Sequence, residues 1–416
     1  MSFEWKDTTV KDFCPFKYGK GLTERERVSG ENLVVSSAGI IGTHSSALVN
    51  NKGVVIGRKG TVGNVTYVNK PFWAIDTAFY IEDEPKFRDL YFTYYLLKTL
   101  GLNGMNSDSA VPGLNRENAH NIKIKVPDLQ TQRLIGSLLK LFDKRIDLLK
   151  ENNLTLESIA QAIFKSWFID FDPVHPKQQG VECAGIDKVT ADLFPDDFVE
   201  SELGLIPKGW RLGNIGEIAN VIDCLHSKKP NLLEAGYVYL QLNNIKDDGT
   251  LDTRKLSYIS EQDYKKWTSR IEVKEGDCII TNVGRVGAVC QIPHSFKAGI
   301  GRNITAIRLT KDYPYPTFLI HLLLSSVIKK EIKNKTDTGT ILDALNVKSI
   351  PLLSFVIPKN IILDRFEEVT RPLRFKVELN NNNIEELSNL RDTLLPRLIS
   401  GKLDLSNIEE ELEGVA

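Results

Sequence analysis

Gly113-Leu-Asn-Arg-Glu-Asn-Ala-His-Asn-Ile-Lys-Ile-Lys-Val-Pro127 leads into a proline-free run from Gln130 to Trp167. The same pattern returns as Ala344-Leu-Asn-Val-Lys-Ser-Ile-Pro-Leu-Leu-Ser-Phe-Val-Ile-Pro358, followed by a second run to Leu398. The register is a constant 231 residues, without a gap, over 56 positions. Identical pairs include Leu114/Leu345, Asn115/Asn346 and Pro127/Pro358, and apolar residues match at Ile135/Phe366, Ile146/Val377 and Ile163/Leu394. Two copies of one architecture in one chain can present similar surfaces to a partner that is itself nearly two-fold symmetric.

The run after Pro127 reads as one helix. Asp128 is its N-cap. One seam holds Ile135, Phe142, Leu149, Leu156 and Ile163; the other holds Leu139, Ile146, Asn153, Ala160 and Trp167. Only Asn153 is polar, and a lone seam asparagine fixes register in a coiled coil. At 1.5 Å per residue the helix is about 57 Å long. The second copy, about 361–398, carries Phe366, Leu373, Asn380, Leu387 and Leu394 with Thr370, Val377, Ile384, Arg391 and Leu398. Pro372 should kink it or delay its start. Two repeats related by a rotation would pair the helices antiparallel; two amphipathic helices, each packed on its own domain, is the alternative.

Before each helix the chain reads mostly as β. Gly53–Ile56, Val62–Val68 and Ala78–Ile81 are strand candidates in the first copy, with a helix over Phe87–Leu100. The second copy offers Tyr237–Leu242, Cys278–Thr281, Ala288–Ile292 and Thr305–Leu309, with a helix over Thr317–Ile332. Gly60-Thr-Val-Gly63 in the first matches Gly284-Arg-Val-Gly287 in the second. The expected fold class is α+β: two mixed, β-rich domains in pseudo-two-fold repeat, joined by two long antiparallel coiled-coil helices.

With 42% hydrophobic and 26% charged residues the chain is globular, and its apolar runs are too short to span a membrane. The start, Met1 to Asp7, has neither a basic nor an apolar character, so no signal peptide is expected. Five scattered cysteines, with no Cys-x-x-Cys and no Cys/His cluster, point to a reduced cytoplasm without disulfides or zinc. The net charge of −1 is unevenly spread: residues 170–202 carry −7, residues 402–413 carry −4, and the remainder +10. A basic body with acid confined to a linker and a tail suits a polyanionic partner, although solvated loops collect charge by chance as well.

Catalytic motifs are missing. Gly57-Arg-Lys-Gly-Thr-Val-Gly63 lacks the Gly-Lys-Ser/Thr ending of a phosphate loop. No Asn-Pro-Pro-Tyr/Phe run is present, and the six histidines are scattered. A binding protein is therefore expected. Its candidate surface is the glycine turn of each copy, flanked by cations and amides that suit base edges. In the first copy these are Arg58, Lys59, Thr61 and Asn64. In the second they are Asn282, Arg285, Arg302 and Asn303, with His226, Ser227, Lys228 and Lys229 earlier. A solvated hairpin is the bland reading of one such turn; its recurrence in both copies favours function.

Ser201-Glu-Leu-Gly-Leu-Ile-Pro-Lys-Gly-Trp210, Ala162-Ile-Phe-Lys-Ser-Trp-Phe-Ile-Asp-Phe171 and Leu390-Arg-Asp-Thr-Leu-Leu-Pro-Arg-Leu-Ile-Ser-Gly-Lys-Leu403 together resemble the specificity subunits of type I DNA restriction–modification systems. The resemblance covers essentially the whole chain. It implies target-recognition domain 1 at 1–126, a central conserved helical region at 127–170, an acidic linker at 171–206, target-recognition domain 2 at 207–357, a distal conserved helical region at 358–405 and an acidic tail at 406–416. It further implies a non-catalytic protein that binds an asymmetric, bipartite site on double-stranded DNA, one half-site per recognition domain, with the helices as spacer. Two modification (methyltransferase) subunits would dock on the helices, with Phe164, Trp167, Phe168, Leu394 and Leu398 as anchors, and restriction (translocase/nuclease) subunits would join. S-adenosylmethionine, ATP and Mg would belong to those partners, with no metal in this chain. The rival readings are a coiled-coil adaptor whose two modules bind protein or glycan, and a stand-alone DNA-modifying enzyme.

Overall fold

The computed structural model describes residues 5–405 except 106–112, 184, 203, 338–341 and 404. The acidic tail at 406–416 lies outside the described residues. The chain divides into two compact units, residues 1–148 with 384–416, and residues 149–383. Each combines one β-rich region with part of both long helices.

In the first unit the strands are β1 (Trp5–Thr9), β2 (Lys17–Tyr18), β3 (Asn32–Ser36), β4 (Gly39–His44), β5 (Gly53–Gly57), β6 (Val65–Val68), β7 (Phe72–Ala74), β8 (Ala78–Glu82) and β9 (Lys123–Pro127). They form a β2-β8-β5-β6 sheet, a β4-β3-β7 sheet with β3 and β7 parallel, and an antiparallel β1-β9 pair. β5 is buried along its whole length, so Val54, Ile56, Phe79 and Ile81 pack under the helix Leu90–Thr99. Ile135 and Leu139 of the first long helix and Leu395 and Leu398 of the second complete the same core.

The second unit contains β10 (Phe198–Ser201), β11 (Gly204–Pro207), β12 (Arg211–Asn214), β13 (Ala219–Asp223), β14 (Tyr237–Leu240), β15 (Ser257–Ile259), β16 (Val273–Lys274), β17 (Cys278–Thr281), β18 (Val289–Gln291), β19 (Lys297–Ile300), β20 (Ile304–Leu309), β21 (Thr336–Asp337), β22 (Ala344–Leu345) and β23 (Ser354–Ile357). Its sheets run β13-β20-β17-β18 and β15-β14-β19-β16, with a β12-β23 pair. These three sheets follow the strand order of the first unit's three, with β16 added; the β10-β11 and β21-β22 pairs have no counterpart among the described strands. The acidic stretch expected as a linker carries two short helices, His175–Gln178 and Lys188–Leu193, and the β10-β11 hairpin. Val174 and Phe194 pack its apolar side into the core, and Ile206 is buried as well.

The long helices are Leu129–Phe168 and Asn360–Ile399, 40 residues each. Asp128 caps the first: its Oδ1 accepts from the Thr131 N–H at 3.0 Å. The second neither starts late nor breaks at Pro372, whose missing N–H falls on an exposed position. All twenty seam residues named above are buried or half-buried. In the first unit Asp143 Oδ1 accepts from Arg391 Nη1 at 2.6 Å, which accounts for the charged seam position. In the second, Asn153 meets Asn380 and Asn381, while Glu157 lies 3.7 Å from Arg374. Within each unit, therefore, the helix segments run antiparallel.

Candidate nucleic-acid interface

In the first unit the chain between β5 and β6 folds into a tight turn. The Gly63 N–H donates to the Gly57 carbonyl and the Gly57 N–H to the Asn64 carbonyl, both at 2.8 Å. The Leu114 N–H donates to the Arg58 carbonyl at 2.8 Å, tying in the repeat segment. Glycine is required at two positions. A Cβ on Gly57 would lie 2.0 Å from the Thr61 carbonyl oxygen, and Gly63 sits at φ +71° against the Leu102 backbone. The strand expected over 62–68 therefore begins only at Val65.

The second unit builds the same turn from different residues. The Gly287 N–H donates to the Thr281 carbonyl and the Thr281 N–H to the Ala288 carbonyl, both at 2.9 Å. The Leu345 N–H donates to the Asn282 carbonyl at 2.8 Å. Gly284 and Gly287 sit at φ +81° and +80°. Three hydrogen bonds thus recur in corresponding places, and both turns present the backbone that small residues alone allow.

The candidate side chains, of which His226, Lys228 and Lys229 follow β13 and Arg302 and Asn303 lie between β19 and β20 rather than on the turns, divide into three groups. Lys59 and Thr61 in the first unit, and Lys228, Lys229 and Arg302 in the second, are exposed, and their side chains make no ion pair among the described residues. A second group is tied down. Arg58 Nη1 donates to the Asp76 carbonyl at 3.2 Å, and Asn64 Nδ2 to the Ser37 carbonyl at 3.0 Å. Arg285 pairs with Asp247 and donates to the Ile245 carbonyl at 2.6 Å. His226 Nε2 lies 2.6 Å from Asp223 Oδ2. Asn303 is half-buried and holds φ +67°, the left-handed conformation that asparagine tolerates among non-glycine residues. In the third group is Asn282, which corrects the expectation from sequence. It is 5% exposed, because its backbone bridges β17 to Asn303 and Leu345, so its amide cannot reach a base edge.

The helix anchors are corrected in the same way. Phe164, Trp167 and Phe168 are buried at 3–7% exposure among Trp210, Phe318 and Phe366, and Leu398 is fully buried with Leu394 packed beside it. The rings meet edge-on at 5–6 Å, as aromatic clusters in cores do. They join the β-rich region to the helices and are largely covered. The exposed apolar residues of the helices are others, among them Leu154 and Phe375 at 64% and 57%.

Sequence reading missed two residues. The Tyr18 ring, at the end of β2, lies beside both Arg58 and Arg116, and all three line one open cavity of about 350 Å³ with Lys59. Arg116 lies inside the quoted repeat, where Val347 replaces it in the second copy, and that difference was the available signal. The fold also gathers Asp223, Cys224 and His226, with donor atoms within 4.8 Å of one another, where no cluster was expected. Burial, then the neighbouring Asp223 carboxylate, raises the Cys224 thiol. Aspartate and histidine bond each other at 2.6 Å.

The family model described as "Type I restriction modification DNA specificity domain" matches residues 3–158. The type I restriction enzyme MjaVIII specificity subunit of Methanocaldococcus jannaschii is 23% identical over 97% of this chain and 94% of its own length. The MjaIX specificity subunit of the same organism is 25% identical over 76% of this chain and 70% of its own. Among solved structures, the type I restriction–modification S subunit from M. genitalium shares the fold, with a TM-score of 0.60, 17% identity and 96% of each chain covered. No described helix is long and apolar enough to cross a membrane.

Proposed function

Because this chain belongs to the specificity subunits of type I restriction–modification systems, whose role is DNA sequence recognition, we propose that each of its β-rich units reads one half of a bipartite, asymmetric duplex site. The observation that carries the reading is the glycine turn built twice with matching hydrogen bonds but different side chains. One scaffold with two sets of readers suits a site whose halves differ in sequence. The two units are copies of one plan, and the long helices act as a coiled-coil spacer. Modification subunits dock on exposed helix residues such as Leu154 and Phe375, and restriction subunits join that assembly. Methyl transfer with S-adenosylmethionine, and ATP- and Mg-dependent translocation and cleavage, reside in those partners; this chain supplies the address and performs no chemistry. The domain limits expected from the sequence, recognition at 1–126 and 207–357 and helices at 127–170 and 358–405, remain our division of these roles.

Spacer length should follow helix length. Removing one turn from each helix, within 146–156 and 377–387, shortens each by about 6 Å, close to two base-pair steps. Selection from randomised duplexes should then return the same half-sites with a spacer shorter by about two base pairs. An unchanged spacer, or two changed half-sites, would refute the ruler.

A further inference from the structure

Tyr18 ends a two-residue strand and leaves its ring 49% exposed. The Arg58 guanidinium carbon lies 5.1 Å from the ring centroid, and that of Arg116 lies 4.6 Å from it. Phe79 meets the same ring edge-on at 5.1 Å and holds it from behind. The two arginines come from segments that the fold ties together, since the Leu114 N–H donates to the Arg58 carbonyl and Lys59 bridges Gly113. Two like charges are thus fixed beside one aromatic ring. Attraction to its π face offsets part of their repulsion without removing any charge. Three cations, Arg58, Arg116 and Lys59, line the cavity against one carboxylate, Glu117, which lies 3.3 Å from Arg116 Nη2. Arg116 Nε is buried without a partner among the described residues.

We propose that Arg58 and Arg116, aligned by Tyr18, form a preset clamp for one backbone phosphate of the DNA bound by the first unit. The proposal rests on the DNA reading above and names the contact this cavity makes. A phosphate fits better than a base edge. Recognising guanine needs a free two-pronged guanidinium, whereas Arg58 already donates to the Asp76 carbonyl and Arg116 lies against Glu117. A phosphate can accept single N–H groups from both. Tyr18 is a positioning residue: it touches the arginines and fixes their separation.

The test measures binding of the full chain to its selected site and to a random duplex of equal length, across a salt series. Arg58→Gln and Arg116→Gln should each lower the slope of log affinity against log salt by about 0.9, on both duplexes alike, and leave half-site preference intact. Arg116→Lys should retain the slope, which separates loss of charge from loss of fold. Tyr18→Phe should bind as the wild type does. Tyr18→Leu should bind both duplexes several-fold more weakly, with little further loss on adding Arg116→Gln. An unchanged slope in both glutamine variants, or a relaxed first half-site, overturns the clamp. Wild-type chain that binds neither duplex overturns the DNA reading itself.

Discussion

Arg285, a proposed DNA contact, is already engaged within the protein. Its partner Asp247 is 92% exposed, and exposed pairs of this kind contribute about 0–1 kcal/mol. Duplex DNA can therefore displace Asp247 at small cost, and Gly284 and Gly287 let the turn approach a groove, but a two-pronged base contact also requires Nη1 to leave the Ile245 carbonyl. If Arg285 then reads a base edge, Arg285→Ala should cost about 1–3 kcal/mol and relax one half-site only. Randomised-duplex selection at one salt concentration reads this out directly, and an even loss across all sequences would make Arg285 a phosphate contact. The expected independence of the halves follows from the placement of Lys59 and Arg285 in separate units. Asn64, expected to read bases beside Lys59, donates from Nδ2 to the Ser37 carbonyl and so also braces the turn.

At the scale of elements, the two long helices carry a buried amide cluster. Asn380 Nδ2 donates to Asn153 Oδ1 at 2.8 Å, and Asn153 Nδ2 donates to Asn381 Oδ1 at 3.1 Å. Asn380 is fully buried, so removing only Asn153 leaves its amide without a partner. Asn153→Leu should cost about 1–3 kcal/mol, whereas Asn153→Leu with Asn380→Leu should cost less than the sum of the two single changes. Denaturant unfolding of the four proteins closes the cycle, and strict additivity would show that the amides act separately. Elsewhere periodicity alone misplaced boundaries. The helix expected over 317–332 is two helices, Pro316–Leu324 and Ser326–Lys335, because Ser325 turns out of the helix and its hydroxyl accepts from the Ile328 N–H at 3.3 Å. The β3-β4 hairpin was missed because β4 is exposed along most of its length and lacks the alternation that marks a strand.

At the scale of the whole molecule, stability should carry a trace of the polar cost of joining helix to recognition unit. Burial, then repulsion from Asp248, pushes the Glu157 carboxyl from 4.5 up to about 7, and Arg374 and Lys246 offset this only in part. A raised carboxyl pKa means that the folded chain binds the extra proton, so stability falls as pH rises from about 4.5 to about 7, by on the order of 3 kcal/mol at most. Glu157→Gln should flatten the difference between pH 5 and pH 8 in denaturant unfolding; an unchanged difference would mean that Glu157 is ionised throughout. The two long helices, the Asp128 cap and the glycine turn that recurs in both units could be read from the amino-acid sequence alone. Each is written in residues close together in the chain, where spacing and backbone preference suffice. The burial of Asn282, the core position of Phe164, Trp167 and Phe168, the Asp247–Arg285 pair and the meeting of Tyr18 with Arg116 were set by the three-dimensional fold. Those outcomes depend on which distant segment covers or charges a side chain, and local periodicity carries no record of that.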